Sequence, residues 1–326
     1  DKFLKIKKNF YWKPKKNIIK KKLNFNIEKK KLKKTFSNVI NTRLRSDFSL
    51  SCLLSGGIDS SSIVSVANKK INRKIDCFSL LSKDLHYDEN YYIQKTIKRE
   101  KLKHRYIGTI KDNKKNLAHL EKLISSTASL VPTTTWFAFS FLCKNIKKLK
   151  YKVVLSGTGG DEIFAGYYIH HLHYLFSIKD KKAFNEKFKE WKVNLVPLLR
   201  NNFLKDFFSY KKKVIENKDL MFYDFLTLKN YFKRFDLIKS VRSPSKTDYF
   251  KKSLMNDLFK YSLQSQISAI DNISMFHGLE ARAPYLSKDL FKKSFSFPSH
   301  FLINKGYGKY ILRKSLQGLL DPEILN

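Results

Sequence analysis

The chain has 326 residues, enough for two domains or for one large domain with a well-covered core. Its formal net charge of +38 comes from 66 Lys and Arg residues against 28 Asp and Glu residues. Lysines occur in nearly every segment, so the charge indicates a compositional bias, and we predict no nucleic-acid partner. No apolar run approaches the roughly 18 residues that a membrane helix needs, which excludes a membrane span at this stage.

The three cysteines, Cys52, Cys77 and Cys143, are far apart in apolar surroundings. Their spacing matches neither a zinc site nor a disulfide framework. Buried thiols in a reducing compartment are therefore expected, and the predicted location is cytoplasmic.

Taken in chain order, residues 1–34 are rich in lysine with scattered aromatics and indicate an interdomain linker segment. Apolar residues at helical spacing predict a helix over 35–45. Further helices are predicted at 63–69, 86–98, 117–125 and 136–149. Short strands are predicted at 49–54, 75–81, 104–107 and 151–155, and the last of these is fully apolar.

This alternation of strands and helices predicts an α/β core over residues 35–170, a doubly wound parallel sheet with ligands at the carboxyl ends of its strands. Beyond residue 170 the pattern changes to aromatic-rich helical stretches at about 181–240 and 250–275. Residues 171–326 are therefore predicted to be a mostly helical C-terminal half that packs against the sheet.

The first strand runs into Ser-Gly-Gly-Ile-Asp-Ser-Ser at residues 55–61. A glycine pair allows the backbone to approach a ligand, and free amides beside hydroxyls at a helix start suit phosphate oxygens. Asp59 would repel phosphate unless a cation lay between them, so the loop indicates a nucleotide with Mg²⁺. A serine-rich helix cap after an ordinary turn explains the same residues.

The last strand of the core is followed by a second glycine-rich run, Ser-Gly-Thr-Gly-Gly-Asp-Glu at residues 156–162. Two such loops in one parallel sheet face a common crevice, where Asp59 and Asp161 would hold one Mg²⁺ between them. Alternatively, Asp161 and Glu162 lie at a helix N-terminus because the macrodipole favours acidic side chains there.

Four ordered motifs resemble those of the glutamine-dependent asparagine synthetases, within the N-type ATP pyrophosphatase superfamily. Residues 55–61 are similar to the pyrophosphate loop, and 156–167 and 274–286 to the second and third signatures. Residues 309–313 resemble the late segment with the catalytic lysine. The resemblance extends over about residues 36–326 and implies an adenine nucleotide alpha hydrolase-like fold.

The resemblance implies adenylation of aspartate by ATP with Mg²⁺, followed by amidation with ammonia to give asparagine, AMP and pyrophosphate. It also implies roles for particular residues. The pyrophosphate cradle would comprise Ser55, Gly56, Gly57, Asp59, Ser60 and Ser61, and the nucleotide would meet Leu54, Ser79, Ser156 and Gly157. Catalysis would use Lys309, Asp59 and Asp161, with Thr158, Glu280 and Arg282 at the substrate pocket.

Two departures from the family keep the function open. Thr158 stands where asparagine synthetases often carry an acidic residue, so the acyl substrate is aspartate or another small carboxylate. No cysteine occupies the place of the glutaminase nucleophile, so we expect the synthetase portion of a longer protein with a glutaminase domain upstream.

Several alternatives remain at this stage. A tRNA-modifying ATP pyrophosphatase also fits the first loop and the basic charge. A homodimer is left open. The pair Glu280 and Arg282 either orders the substrate pocket or forms a structural ion pair.

Overall fold

Five short strands form one fully parallel sheet in the computed structural model. The structure describes residues 12, 23–80, 89–107, 113–127, 134–215 and 249–326. The strands are β1 (Leu50–Leu53), β2 (Asp76–Leu80), β3 (His104–Ile107), β4 (Val153–Leu155) and β5 (Glu280–Arg282). Their spatial order is β3-β2-β1-β4-β5.

The central strand β1 lies between β2 and β4, and Cys52 is in register with Cys77 on one side and with Leu155 on the other. The chain leaves β1 toward β2 and β3, and then crosses to β4 on the opposite side. The direction of winding therefore reverses at β1, and the loops that follow β1 and β4 meet at the same edge of the sheet. In open parallel sheets this reversal point is where ligand crevices form.

Helices cover both faces of the sheet. Those before β4 are α1 (Phe25–Arg43), α2 (Ile58–Ile71), α3 (Asn90–Glu100), α4 (Asn113–Thr127) and α5 (Thr134–Lys148). Those after it are α6 (Gly160–Phe164), α7 (Tyr168–Ser177), α8 (Lys181–Asn194), α9 (Phe207–Ile215), α10 (Tyr249–Phe259), α11 (Ser262–Phe276), α12 (Lys288–Ser296), α13 (Ser299–Leu302), α14 (Tyr310–Ser315) and α15 (Pro322–Leu325). Short 3-10 turns lie at Val196–Leu198, Asn202–Lys205 and Pro284–Leu286.

Strand β4 is apolar on both sides, and a separate core covers each side. Val153 and Leu155 of β4 point into a core shared with α1, α2, α10 and α12, whereas Val154 points into a second core shared with α5 and α11. Burial on both faces is typical of parallel sheets and explains why β4 is a continuous apolar run. A third core, built from leucines and aromatic residues around Trp191 and Tyr210, joins α7, α8 and α9.

The doubly wound parallel sheet and the mostly helical C-terminal half are confirmed. Strand β3 has the predicted bounds, and α4 and α5 include the helical segments predicted at 117–125 and 136–149 to within a residue. Parts of four predicted segments lie outside the described residues: 1–11 and 13–22, residue 81, residues 86–88, and 216–240. Within the described ranges, no helix is both long enough and apolar enough to cross a membrane.

Three local predictions need correction. Helix α1 begins at Phe25 instead of at 35, because the Asn24 side chain accepts from the amides of Asn26 and Ile27. Helix α2 begins at Ile58 instead of at 63, so the polar residues 59–62 form its first turn. Strand β5 was missed, since three residues are too few to display a period. The sheet therefore takes its edge strand from beyond the predicted division at residue 170, which itself stays a prediction.

Candidate active site

The two glycine-rich loops meet where β1 and β4 end, as the sheet order requires. Asp59 lies in the first turn of α2, and Asp161 lies in the first turn of α6. The first loop is tied to its own helix, because the Ser60 hydroxyl accepts from the Ser55 amide over 3.0 Å and contacts the Ser55 hydroxyl over 2.9 Å. Each carboxylate is thus placed by the start of a helix that follows a central strand.

Lys309 reaches this junction from the last third of the chain and lies between the two carboxylates. Its Nζ is 2.5 Å from Oδ2 of Asp59 and 2.7 Å from Oδ1 of Asp161. The side chains of Lys309, Asp59 and Asp161 are 7%, 15% and 36% exposed, so the junction opens to solvent on the Asp161 side. Lys309 is the one lysine that is buried among the residues that the structure describes, which sets it apart in a lysine-rich chain.

A strained backbone corner places this lysine. Lys309 has φ of 54°, a left-handed conformation that non-glycine residues rarely adopt, and it immediately precedes α14. Its amide donates to the Phe164 carbonyl of α6 over 3.1 Å. The Arg313 guanidinium donates to the Gly308 carbonyl over 2.9 Å. The corner is therefore fixed directly to the helix that carries Asp161.

Burial and the neighbouring charges shift the pKa values of Asp59 and Lys309. Burial raises the pKa of Asp59 to about 6, an effect that Asp161 increases and the Lys309 ammonium opposes. Burial also works against the charge of Lys309, but the two carboxylates outweigh it and raise the pKa of the ammonium above its ordinary value. With two carboxylates and one ammonium, the site keeps Lys309 charged and leaves Asp59 as the group that takes up a proton as the pH falls.

The amino-acid sequence of the chain matches a family profile. A sequence profile with the description "Asparagine synthase" matches residues 31–326, which is most of the chain. The chain belongs to the asparagine synthase family.

Individual members of the asparagine synthase family show the same relationship. Asparagine synthetase [glutamine-hydrolyzing] 1 of Bacillus subtilis is 24% identical over 317 residues, which cover 91% of this chain and 48% of that protein. Putative asparagine synthetase [glutamine-hydrolyzing] 2 of Methanocaldococcus jannaschii is 32% identical over 152 residues, 44% of this chain and 28% of that protein. The chain spans about half the length, or less, of the curated relatives it matches.

Among solved structures, the NH3-dependent NAD synthetase from Campylobacter jejuni superposes with a TM-score of 0.31 and 14% identity. The match covers 73% of this chain and 96% of that one. At this TM-score the superposition adds nothing to the sheet order described above.

The site's donor set suits a hard cation. Oδ1 of Asp59 is buried and has no hydrogen-bond partner, and Asp161 is partly exposed. Carboxylate oxygens are the ligands that Mg²⁺ prefers. The described residues include no group of three or more His, Cys, Asp or Glu side chains able to hold a metal, so further ligands would come from outside these residues. The residues fit Mg²⁺ on that condition.

The residues predicted to meet the nucleotide lie at the ends of β1, β2 and β4. The Ser79 hydroxyl donates to the Leu54 carbonyl and also contacts Nε2 of His104 over 2.8 Å. On the neighbouring strand, the Ser156 hydroxyl lies 3.0 Å from that of Thr158. The polar groups of both pairs therefore already bond within the chain, and their contacts with a nucleotide stay a prediction.

Three predicted site residues have other contacts in the structure. The Ser61 hydroxyl is fully buried and lies 3.3 Å from the hydroxyl of Thr96 on α3, a geometry that favours packing. Glu280 and Arg282 lie on β5 and pair with each other over 2.7 Å. Arg282 also donates to the carbonyls of Arg43 and Arg45 over 2.8 and 2.7 Å. The structural ion pair is present, and a role in a substrate pocket stays a prediction.

Sequence reasoning missed residues whose hydroxyls bind next to Asp59 and Asp161. The Ser62 hydroxyl donates to the Asp59 carbonyl and lies 2.7 Å from the hydroxyl of Tyr285, whose ring is fully buried. Beside Asp161, the buried Glu162 accepts from the Tyr167 hydroxyl over 2.7 Å. Tyr285 and Tyr167 stand inside the motifs already quoted, but a motif does not tell which hydroxyl faces which partner.

Gly160 allows the second loop to touch Asp59. A Cβ at this position would lie 2.4 to 2.6 Å from the atoms of the Asp59 carboxylate. We expect Gly160→Ala to displace the carboxylate from Lys309 and to lower the free energy of unfolding by about 1–3 kcal/mol, the usual cost of overpacking. Chemical denaturation followed by circular dichroism measures this loss.

Gly57→Ala is the matched control for this prediction. Its Cβ would meet only the Ser55 hydroxyl at 3.4 Å, and its φ of −75° suits any residue. Alanine is a poorer N-cap than glycine, so we expect a loss of about 0.5–1 kcal/mol, smaller than that of Gly160→Ala. Equal losses in the two variants would contradict the proposed contact between Gly160 and Asp59.

Proposed function

We propose that the chain is the synthetase portion of a glutamine-dependent asparagine synthetase. In this reaction ATP adenylates the side-chain carboxylate of aspartate, and ammonia then displaces AMP to give asparagine. The buried Lys309 ammonium between Asp59 and Asp161 carries the proposal, because it puts a fixed positive charge where two strand-end loops meet. Membership of the asparagine synthase family supports it.

The proposed chemistry needs positive charge at the phosphates. The aspartate carboxylate attacks the α-phosphorus, the bond to the α,β-bridging oxygen breaks, and pyrophosphate leaves with the electron pair. Lys309 would stabilise the charge that grows on these oxygens, and its two carboxylate partners hold it in place beforehand, so little reorganisation is needed. Mg²⁺ held by Asp59 and Asp161 would neutralise further phosphate charge.

The second step consumes ammonia, which attacks the acyl carbon, loses a proton and expels AMP. We propose that a glutaminase domain supplies it. The free thiols of Cys52, Cys77 and Cys143 are all buried, and burial raises the pKa of Cys52 to about 12. A thiol in this state is a poor nucleophile, so the described cysteines do not fit glutamine hydrolysis. Free thiols also suit a cytoplasmic location.

One observation favours a second candidate, an amide-forming ligase for another small carboxylate. Thr158 is half-buried in the second loop, and its hydroxyl bonds to Ser156. A neutral hydroxyl there removes the acidic group that asparagine synthetases often carry.

Exchange of radiolabelled pyrophosphate into ATP tests both candidates, because it follows the adenylation step without ammonia. We expect exchange with MgATP to require aspartate. Adding ammonia should then convert exchange into net release of AMP and asparagine. Exchange supported by another carboxylic acid and not by aspartate would establish the second candidate, and no exchange with any acid would contradict both.

A further inference from the structure

The amides of the first loop are already occupied by acceptors from the chain itself. The Ser55 amide donates to the Ser60 hydroxyl over 3.0 Å, and the Gly57 amide donates to the Ser55 hydroxyl over 3.3 Å. The Gly56 amide donates to Oε2 of Glu89 over 3.3 Å. Of these three acceptors, Glu89 alone is charged and alone comes from outside the loop.

Packing holds Glu89 beside the loop. Glu89 immediately precedes α3, and the first turn of that helix lies so close to Gly56 that a Cβ there would be 2.9 Å from the Cβ atoms of Glu89 and Tyr92. The loop and the helix are in contact because Gly56 has no side chain. The carboxylate meets the amide because the two backbones are in contact.

The far side of α3 is anchored as well. Glu323 of α15 accepts from the Tyr91 hydroxyl over 2.8 Å and from Nζ of Lys95 over 2.5 Å. Glu89 itself is exposed, so its side chain is able to rotate into solvent while the helix stays in place. The bond to Gly56 is thus breakable without any movement of α3.

We propose that Glu89 is an internal competitor for pyrophosphate. Its carboxylate oxygen occupies the Gly56 amide in place of a phosphate oxygen, so it weakens binding of the terminal phosphates of ATP and promotes release of pyrophosphate. A single N–H group does not donate a full hydrogen bond to two acceptors at once. The Glu89 carboxylate and a phosphate oxygen beside the same amide would also repel each other, because both are negative. This inference rests on the proposed function, since it assumes that the loop binds pyrophosphate.

Direct binding tests the inference. Isothermal titration with magnesium pyrophosphate is compared between the wild type, Glu89→Gln and Glu121→Gln. Glutamine keeps the shape and an acceptor oxygen but removes the charge, and Glu121 is an exposed residue of α4 that matches the change in net charge. We expect Glu89→Gln to lower the Kd by about fivefold, less at high salt, and Glu121→Gln to leave it unchanged.

The contact itself is followed by NMR. Protein labelled with carbonyl-¹³C serine and ¹⁵N glycine gives paired signals only from Ser55–Gly56 and Ser156–Gly157, and Ser156→Ala removes the second. The Gly56 signal should move in Glu89→Ala, and it should move in the wild type when pyrophosphate is added.

The outcomes separate the two proposals. A wild type that binds pyrophosphate with the same Kd as Glu89→Gln would overturn the competitor role and leave the proposed function standing. A Gly56 signal that responds to Glu89→Ala, with no binding of pyrophosphate in any variant, would overturn both. Tighter binding in Glu89→Gln alone, with stronger product inhibition by pyrophosphate, supports the inference.

Discussion

Replacing Lys309 with methionine should reduce pyrophosphate release by about a thousandfold, because removal of one preorganised group that stabilises transition-state charge commonly costs that much. The ammonium is 2.5 and 2.7 Å from two carboxylates, so methionine leaves Asp59 and Asp161 without a counter-charge. One carboxylate should then take up a proton near neutral pH. Steady-state pyrophosphate release with MgATP and the acyl substrate measures the loss.

Lys314→Met is the control for this variant. Lys314 lies further along α14, where its ammonium is over the Tyr310 ring, 5.5 Å from the ring centre. We expect nearly unchanged pyrophosphate release. An active Lys309→Met enzyme, with a circular dichroism spectrum like that of the wild type, would remove Lys309 from the proposed mechanism.

Asp59→Asn should make the protein more stable at pH 7 while it lowers activity by about a hundredfold. Burial raises the pKa of Asp59 from an ordinary 3.8 to about 6, so its charged form opposes folding at neutral pH. A shift of this size corresponds to roughly 2–3 kcal/mol in the free energy of unfolding. Asparagine imitates the neutral acid, so we expect a gain of that order, measured by urea denaturation at pH 7.

The raised pKa of Asp59 makes the free energy of unfolding depend on pH. Between pH 4 and 6 the folded protein holds a proton on Asp59 that the unfolded chain has lost, so this residue makes the wild type more stable as the pH falls through 6 toward 4. The difference in the free energy of unfolding between Asp59→Asn and the wild type should therefore become smaller as the pH falls over this range. Asp47→Asn, at an exposed position on the same segment, should show no such gap. A constant gap from pH 7 to pH 4 would show that the pKa of Asp59 is not raised.

The sequence predicted the meeting of Asp59 and Asp161 because both follow strands of one parallel sheet, and such strands end at one edge. It also predicted a Mg²⁺ ion held between them, which stays a prediction. In the structure the ammonium of Lys309 lies between the two carboxylates, although the late motif had indicated this lysine only as a separate catalytic group. Its approach depends on the left-handed corner at Lys309 and on the Phe164 carbonyl, and no periodicity in the chain reports either.

Other parts of the site escaped prediction for related reasons. Glu89 precedes a helix in an ordinary polar stretch, and only the packing of that helix on Gly56 gives its carboxylate an amide to bind. Tyr285 reads as a core aromatic, and its ring is one, yet its hydroxyl contacts Ser62 behind Asp59. Strand β5 has just three residues, so its pairing with β4 comes from tertiary contacts. Pattern reasoning finds elements and strand ends well, but it does not find the directions of side chains.

The contact between Asp59 and Lys309 joins residues that are 250 positions apart in the chain. During synthesis at 5–20 residues per second, about 10 to 50 s separate the appearance of these two residues at the ribosome. Throughout that interval the nascent chain has its first loop but lacks the ammonium that completes the junction. Closure over so long a separation also carries a large entropic cost in the early stages of folding. The junction of Asp59, Asp161 and Lys309 therefore forms only after nearly the whole chain has been synthesised.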